Sequence, residues 1–153
     1  MAPLHRPCDR LHFVAQGIAR HFFLNHDGNE VTSWFSQQGG LATDYRAFTT
    51  GAETVFEIQA LTPLTSYSIH RDELDRLYTD YKEWERLGRL VNQDYLIALI
   101  ERNNGMFVKT ARQRYEEFYA EQRHLFNLIP LRYIASYLGI TLETLSRLRA
   151  DQR

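Results

Sequence analysis

The chain has 153 residues, 44% of them hydrophobic and 13% aromatic, enough apolar material for one ordinary domain or two small ones and too much for a disordered segment. Its formal net charge of -1 excludes a global attraction to nucleic acid or anionic membrane, so any such contact must rest on a local asymmetry. The single cysteine, Cys8, excludes an internal disulfide and an iron–sulfur cluster, which needs about four thiolates. A reducing cytoplasm suits such a chain. No stretch near its start joins a basic segment to an apolar run, and no window approaches the ~18 apolar residues of a membrane span, so a soluble cytoplasmic protein is expected.

From Leu11 the runs "LHFVAQG", "IARHFFLN" and "EVTSWFS" are short, aromatic and β-branched, punctuated by Gly17 and the turn cluster "NHDGN". They predict antiparallel strands. "TVFEIQAL" and "LTSYSI" continue the series, with Val55 and Glu57 alternating against Phe56 and Ile58 and Pro63 marking the break. The texture changes at Arg71, beyond which no proline appears until Pro130 and apolar residues recur at spacings of three and four. Trp84, Leu87, Val91, Tyr95 and Ala98 fall on one helical stripe, with Leu90 and Ile97 on another. A helix apolar on two sides can pack on its own chain with one and meet a second copy with the other. The first stripe is read as the dimerisation face, and "NNG" at residues 103–105 as a stop or kink. "VKTARQRYEEFYAEQ" predicts a further helix with Val108, Ala111, Tyr115 and Phe118 or Tyr119 inward. Tyr115, Phe118, Tyr119 and Phe126 at this spacing read as core rather than as a base-stacking platform.

The ending "IPLRYIASYLGITLETLSRLRADQR" holds two short apolar-periodic segments around Gly139. Ala135 lets two helices cross closely, Gly139 supplies a left-handed turn, and Leu145 with Leu148 faces the second helix back onto Ile134 and Leu138. Pro130 suits the start of the first helix and Thr141 caps the second. Leu142, Glu143, Ser146, Arg147 and Arg149 are then expected outward, four of them able to meet base edges or phosphates. The charge asymmetry agrees: residues 107–153 carry 8 Lys/Arg against 5 Asp/Glu, while residues 1–106 carry 10 against 14.

Strands of this kind, a long two-faced helix and then "ASYLGITLETLSRLR" resemble the Crp/Fnr family of bacterial transcriptional regulators over nearly the whole chain. The resemblance implies an α+β fold. It consists of an antiparallel β-roll of the cyclic-nucleotide-binding type (a double-stranded β-helix or jelly roll), a long dimerisation helix and a C-terminal helix-turn-helix. The expected division is residues 1–80 for a sensor-like roll, 81–106 for the dimerisation helix and 107–153 for DNA binding. Glu143, Ser146 and Arg147 match the family's E-x-x-S-R pattern. Arg147 would read a guanine through O6 and N7, Glu143 would accept from a cytosine, and Ser146 would touch a neighbouring base, on palindromic operators with TTGA-type half-sites. Arg132, Thr144 and Arg149 are assigned to phosphates. The implied partners are double-stranded DNA, a second copy of the chain, a small-molecule effector and RNA polymerase.

The chain departs from the family at "HRPCDRLHFVAQG", which already resembles early strands of the roll, so the roll is read as shortened at its start. No segment reads as a β-hairpin wing. In cyclic-nucleotide-binding members a Gly-Glu pair and an arginine hold the phosphate; here Gly40 is followed by Leu41, and the arginine position falls near Thr54 or Glu53. Gly40, Leu41, Arg46, Thr54 and Val55 therefore mark a candidate effector pocket whose ligand is not expected to be cyclic AMP. His12, His21 and His26 lack the spacing of a metal triad, and no nucleophilic triad or phosphate loop appears. The reading is a regulator without catalytic residues, metal or cofactor. The alternative class is a cupin-like ligand- or metal-binding roll or enzyme with a helical assembly tail.

Overall fold

The computed structural model of the chain describes residues 7–151. Residues 1–6, where the sequence reading expects a shortened start to the roll, and Gln152 and Arg153 lie outside the described residues. The chain divides into two compact units, one up to Asp75 and one from Arg76.

The first unit is built on two three-stranded antiparallel sheets. Strands β1 (Arg10–Gln16), β4 (Leu41–Ala42) and β6 (Thr65–His70) form one in the order β4-β1-β6. Strands β2 (Ala19–Leu24), β3 (Glu30–Ser36) and β5 (Glu57–Ala60) form the other in the order β3-β2-β5. Only β2 and β3 make a hairpin within one sheet. Every other consecutive pair of strands changes sheet, which makes the arrangement a roll instead of a meander. Two of these crossings lie side by side, since Leu61 N donates to Ile18 O and Ile18 N to Thr62 Oγ1, at 2.8 and 2.9 Å. Gly17 permits the approach: its φ is +94°, and a Cβ there would sit 2.2 Å from the Pro63 carbonyl oxygen. Between the sheets, Val14, Ala19, Ala42 and Ile58 form a buried cluster.

The segment "TVFEIQAL" yields a strand only from Glu57, because the Val55 N–H is captured by the Asp44 carboxylate at 3.1 Å and is lost to a ladder. The same Asp44 caps a helix that the sequence reading did not anticipate, α1 (Tyr45–Thr50), accepting from Ala47 N at 3.0 Å.

The second unit is helical. Helix α2 (Arg71–Asp80) leads across the boundary into α3 (Lys82–Val108), followed by α4 (Ala111–Gln122), α5 (Leu125–Leu128), α6 (Leu131–Leu138) and α7 (Leu142–Ala150). The "NNG" segment does not end α3, which runs on to Val108 with Gly105 buried. The break comes from the next start signal. Thr110 and Gln113 form a capping box at the head of α4, and Lys109 is extended between the helices. Val108, expected inward, is therefore the exposed last residue of α3. Tyr115, Phe118 and Phe126 are buried, their ring centroids 5.7 to 6.0 Å from one another where they pair, and Tyr119 lies at their rim. No helix among the described residues is long and apolar enough to cross a membrane.

Candidate nucleic-acid interface

Helices α6 and α7 form a helix-turn-helix pair around Gly139. Its φ of +65° and the bonds from Gly139 N and Ile140 N to the carbonyls of Ser136 and Ala135 end α6 in a left-handed cap. Thr141 then opens α7 by accepting from Thr144 N at 3.1 Å. Ile134, Ala135, Leu138, Leu145 and Leu148 are all buried, so the apolar slots anticipated from the sequence are the contact surface of the pair. Burying Leu145 contributes on the order of 1.5–3 kcal/mol, which fixes the rotation of α7 about its own axis.

That rotation decides what α7 presents. At 100° per residue, Glu143, Ser146 and Arg147 project opposite Leu145 and Leu148, and all three are exposed. Among the described residues their side chains make no hydrogen bond or ion pair. Glu143 stands in the first turn and Arg147 in the last, the placement the helix dipole favours.

The three residues assigned to phosphates are arranged differently. Arg149 falls about 40° from Leu145 on the helix wheel. It is half-buried, with its guanidinium 5.3 Å from the Phe126 ring centroid, so it belongs to the flank of the packed face and not to the outward one. Thr144 is half-buried and accepts from the Thr141 hydroxyl at 3.0 Å. Arg132, on α6, is exposed but stacks on Tyr133 and donates to its hydroxyl at 2.9 Å.

On α3 the stripe read as the dimerisation face is only partly open. Val91, Tyr95 and Ala98 are half-buried, in line with Gly88 and the buried Gly105. Gly88 admits Tyr78 so closely that a Cβ there would lie 2.4 Å from the phenol oxygen. Trp84 and Leu87 stay exposed at the head of the helix. The open seam is Leu90, Ile97, Ile100 and Phe107, which with Gln93 and Asn104 recur at alternating spacings of three and four.

The candidate effector residues differ in exposure. Gly40 and Leu41 are half-buried, Thr54 is fully buried, Val55 is exposed, and Arg46 is exposed and donates to Glu53 O at 2.8 Å. Apart from Thr54, the buried polar groups of the roll are others. Asp44 spends both carboxylate oxygens on Ala47 N and Val55 N. Ser36 donates to Leu41 O at 2.6 Å, so His21 Nε2, 2.8 Å from the same hydroxyl, is the donor to it. Burial pushes the His21 imidazole down to about 4, against a partial upward pull from Asp44. Arg20, 1% exposed, donates to Gln59 at 2.9 Å, pairs with Glu30 and stacks on Phe22. Asp44 was legible as an N-cap, seven residues before a helix-ending Gly51, and Arg20 as a lone cation inside the apolar run "IARHFF". Among the described residues no group of three His, Cys, Asp or Glu is close enough to hold a metal ion.

No protein-family model matches the sequence, and comparison with curated proteins finds no match. Solved structures do match. FixK2 from Bradyrhizobium japonicum superposes with a TM-score of 0.84 at 20% identity, over 99% of this chain and 78% of that one. A protein from Eubacterium rectale assigned to the crp/fnr family of transcriptional regulators gives 0.71 at 17% identity, over 95% and 70%. A cyclic nucleotide-binding domain containing protein from Listeria monocytogenes gives 0.71 at 16%, over 97% and 78%. The chain therefore has the α+β fold of Crp/Fnr regulators, with a cyclic-nucleotide-binding-like roll, which is the fold its sequence resemblance implies.

Proposed function

We propose that the chain is a homodimeric, sequence-specific DNA-binding regulator of transcription of the Crp/Fnr type. The observation that carries this reading is the outer face of α7, where Glu143, Ser146 and Arg147 stand exposed and uncommitted on a helix whose rotation is locked by buried leucines. In this reading α7 enters the major groove, Arg147 forks onto a guanine, Glu143 accepts from a cytosine and Ser146 adds a short contact. Arg132 remains the best placed of the phosphate candidates; Arg149 and Thr144 contribute chiefly through packing and capping. The roll acts as a sensor-like domain, α3 as the dimerisation element and the helices beyond it as the reading head. The protein works in the cytoplasm, where RNA polymerase is the machinery it acts upon.

Dimerisation runs through the open seam of Leu90, Ile97, Ile100 and Phe107, since a strip of this length is costly to leave in water. The test is selection of binding sites from a random duplex pool by the full chain, followed by titration of the selected site. The reading expects a palindrome whose half-sites lie about one helical turn, roughly 34 Å, apart. A pool that yields no enriched sequence overturns it. Light scattering should read twice the chain mass, and Ile97→Asp should halve it.

A further inference from the structure

The last four carbonyls of a helix have no amide partner within it. In α6 these belong to Ala135, Ser136, Tyr137 and Leu138, and all four are accounted for. Gly139 and Ile140 N–H groups serve Ser136 and Ala135. The other two are taken by arginines from elsewhere in the unit: Arg102 Nη2 of α3 donates to Tyr137 O at 3.0 Å, and Arg114 Nε of α4 donates to Leu138 O at 2.9 Å. Arg102 also lies 4.4 Å from the Tyr137 ring centroid, so one guanidinium grips both the backbone and the side chain of that residue. Arg114 makes a second bond, from Nη1 to Lys109 O at 2.6 Å, at the residue that follows α3. Beside them Met106 fills the space over Gly139, where a Cβ would lie 2.5 Å from its methyl carbon.

We propose that Arg102 and Arg114 are positioning residues that lock the turn ahead of α7 to the end of α3, so that the dimer helix sets the separation of the two reading helices. The proposal rests on the DNA-binding reading above and deepens it. The two arginines touch no base. They act on the turn from which α7 starts, and Arg114 spans the break between α3 and α4 that would otherwise be a hinge. A lysine cannot replace either: one ammonium does not stack on Tyr137 while bonding its carbonyl, nor fork between Leu138 O and Lys109 O.

The experiment uses the full chain, its selected operator, and a set of operators whose half-sites are moved together or apart by one to three base pairs. Arg102→Lys, Arg114→Lys and the double variant are compared with wild type by fluorescence anisotropy, and helical content is followed by circular dichroism. The expected result is a loss of about tenfold at the preferred spacing, the size of one lost charge-assisted hydrogen bond, and a flattened preference among spacings. Base preference within each half-site stays as in wild type. Variants that keep the wild-type spacing preference overturn the proposal while leaving the DNA reading intact. Variants that lose helical content together with all binding overturn it too, because the arginines then serve folding alone. A wild-type chain that binds no duplex sinks the DNA reading itself.

Discussion

In the roll, Arg20 is bonded to Gln59 and Glu30 and stacked on Phe22, Asp44 spends both oxygens on backbone N–H groups, and His21 and Ser36 close on each other. On α7, Glu143, Ser146 and Arg147 bond to nothing among the described residues. The same kinds of side chain are structural in one unit and available in the other. A polar group buried without partners costs free energy, so the roll consumes its own; an exposed group is already solvated and can wait for a ligand. Candidate chemistry is therefore to be sought where the protein leaves hydrogen-bonding capacity unspent.

Five experiments probe this contrast, in order of effect. Leu145→Ala removes the side chain that fixes the rotation of α7 and should cost about 2–5 kcal/mol in denaturant unfolding of the helical unit. A change below half a kcal/mol would mean that α7 is not packed as described. In the roll, burial lowers both His12 and His21, and His21 is the one pushed down to about 4. Its folded pKa of about 4 lies below the ordinary 6.5, so the unfolded chain binds the proton first. The contribution of His21 is complete above pH 6.5 and should fall by up to about 1.4 kcal/mol per unit as the pH drops from 6.5 toward 4. His21→Gln, which keeps a donor for Ser36 without titrating, should flatten that slope in urea melts taken across the range.

Arg147→Ala should cost on the order of 1–3 kcal/mol of operator affinity and relax preference at one base pair, measured by competition among single-base operator variants. Arg149→Ala, by contrast, should lower stability by about 0.5–1 kcal/mol through the lost contact with Phe126 and leave the salt dependence of binding nearly unchanged. A large drop in salt slope would return Arg149 to the phosphates. Last, cyclic AMP and cyclic GMP should give no heat in calorimetry up to near-millimolar concentration. Arg46, the cation of that segment, points its guanidinium at Glu53 O, and Thr54 and Val55 bring no positive charge. A micromolar heat would show a phosphate clamp elsewhere in the roll.

The helix-turn-helix was readable because each of its slots is a local rule: a small residue, a glycine, a capping threonine and leucines three apart. The strands were readable for the same reason, as runs of aromatic and β-branched residues. What the sequence left open is what depends on distant partners. Nothing in "LHFVAQG" says that its neighbours in space are β4 and β6 and not β2, because pairing is decided by the crossings at Gly17 and Leu61. The two stripes of α3 are similar in apolar content, and Gly88 against Tyr78 settles which one the chain closes. The half-burial of Arg149 against Phe126 depends on a partner more than twenty residues away, which its charge does not reveal. Asp44 is used by the fold itself, since its carboxylate caps α1 and holds Val55 N, and that second partner lies eleven residues on in the chain.

The unbroken run of α3 through "NNG" has a mechanical consequence. Its 27 residues make a rod of about 40 Å. A tilt of only about 5° at one end of such a rod carries the other end sideways by roughly 3.5 Å, close to the ~3.4 Å step between successive base pairs. In the proposed dimer joined along this rod, small angular changes near its start would become whole-base-pair changes in the gap between the two copies of α7. On the proposed reading the helix would work as a lever with a built-in gain, and a stop at Gly105 would have shortened its arm.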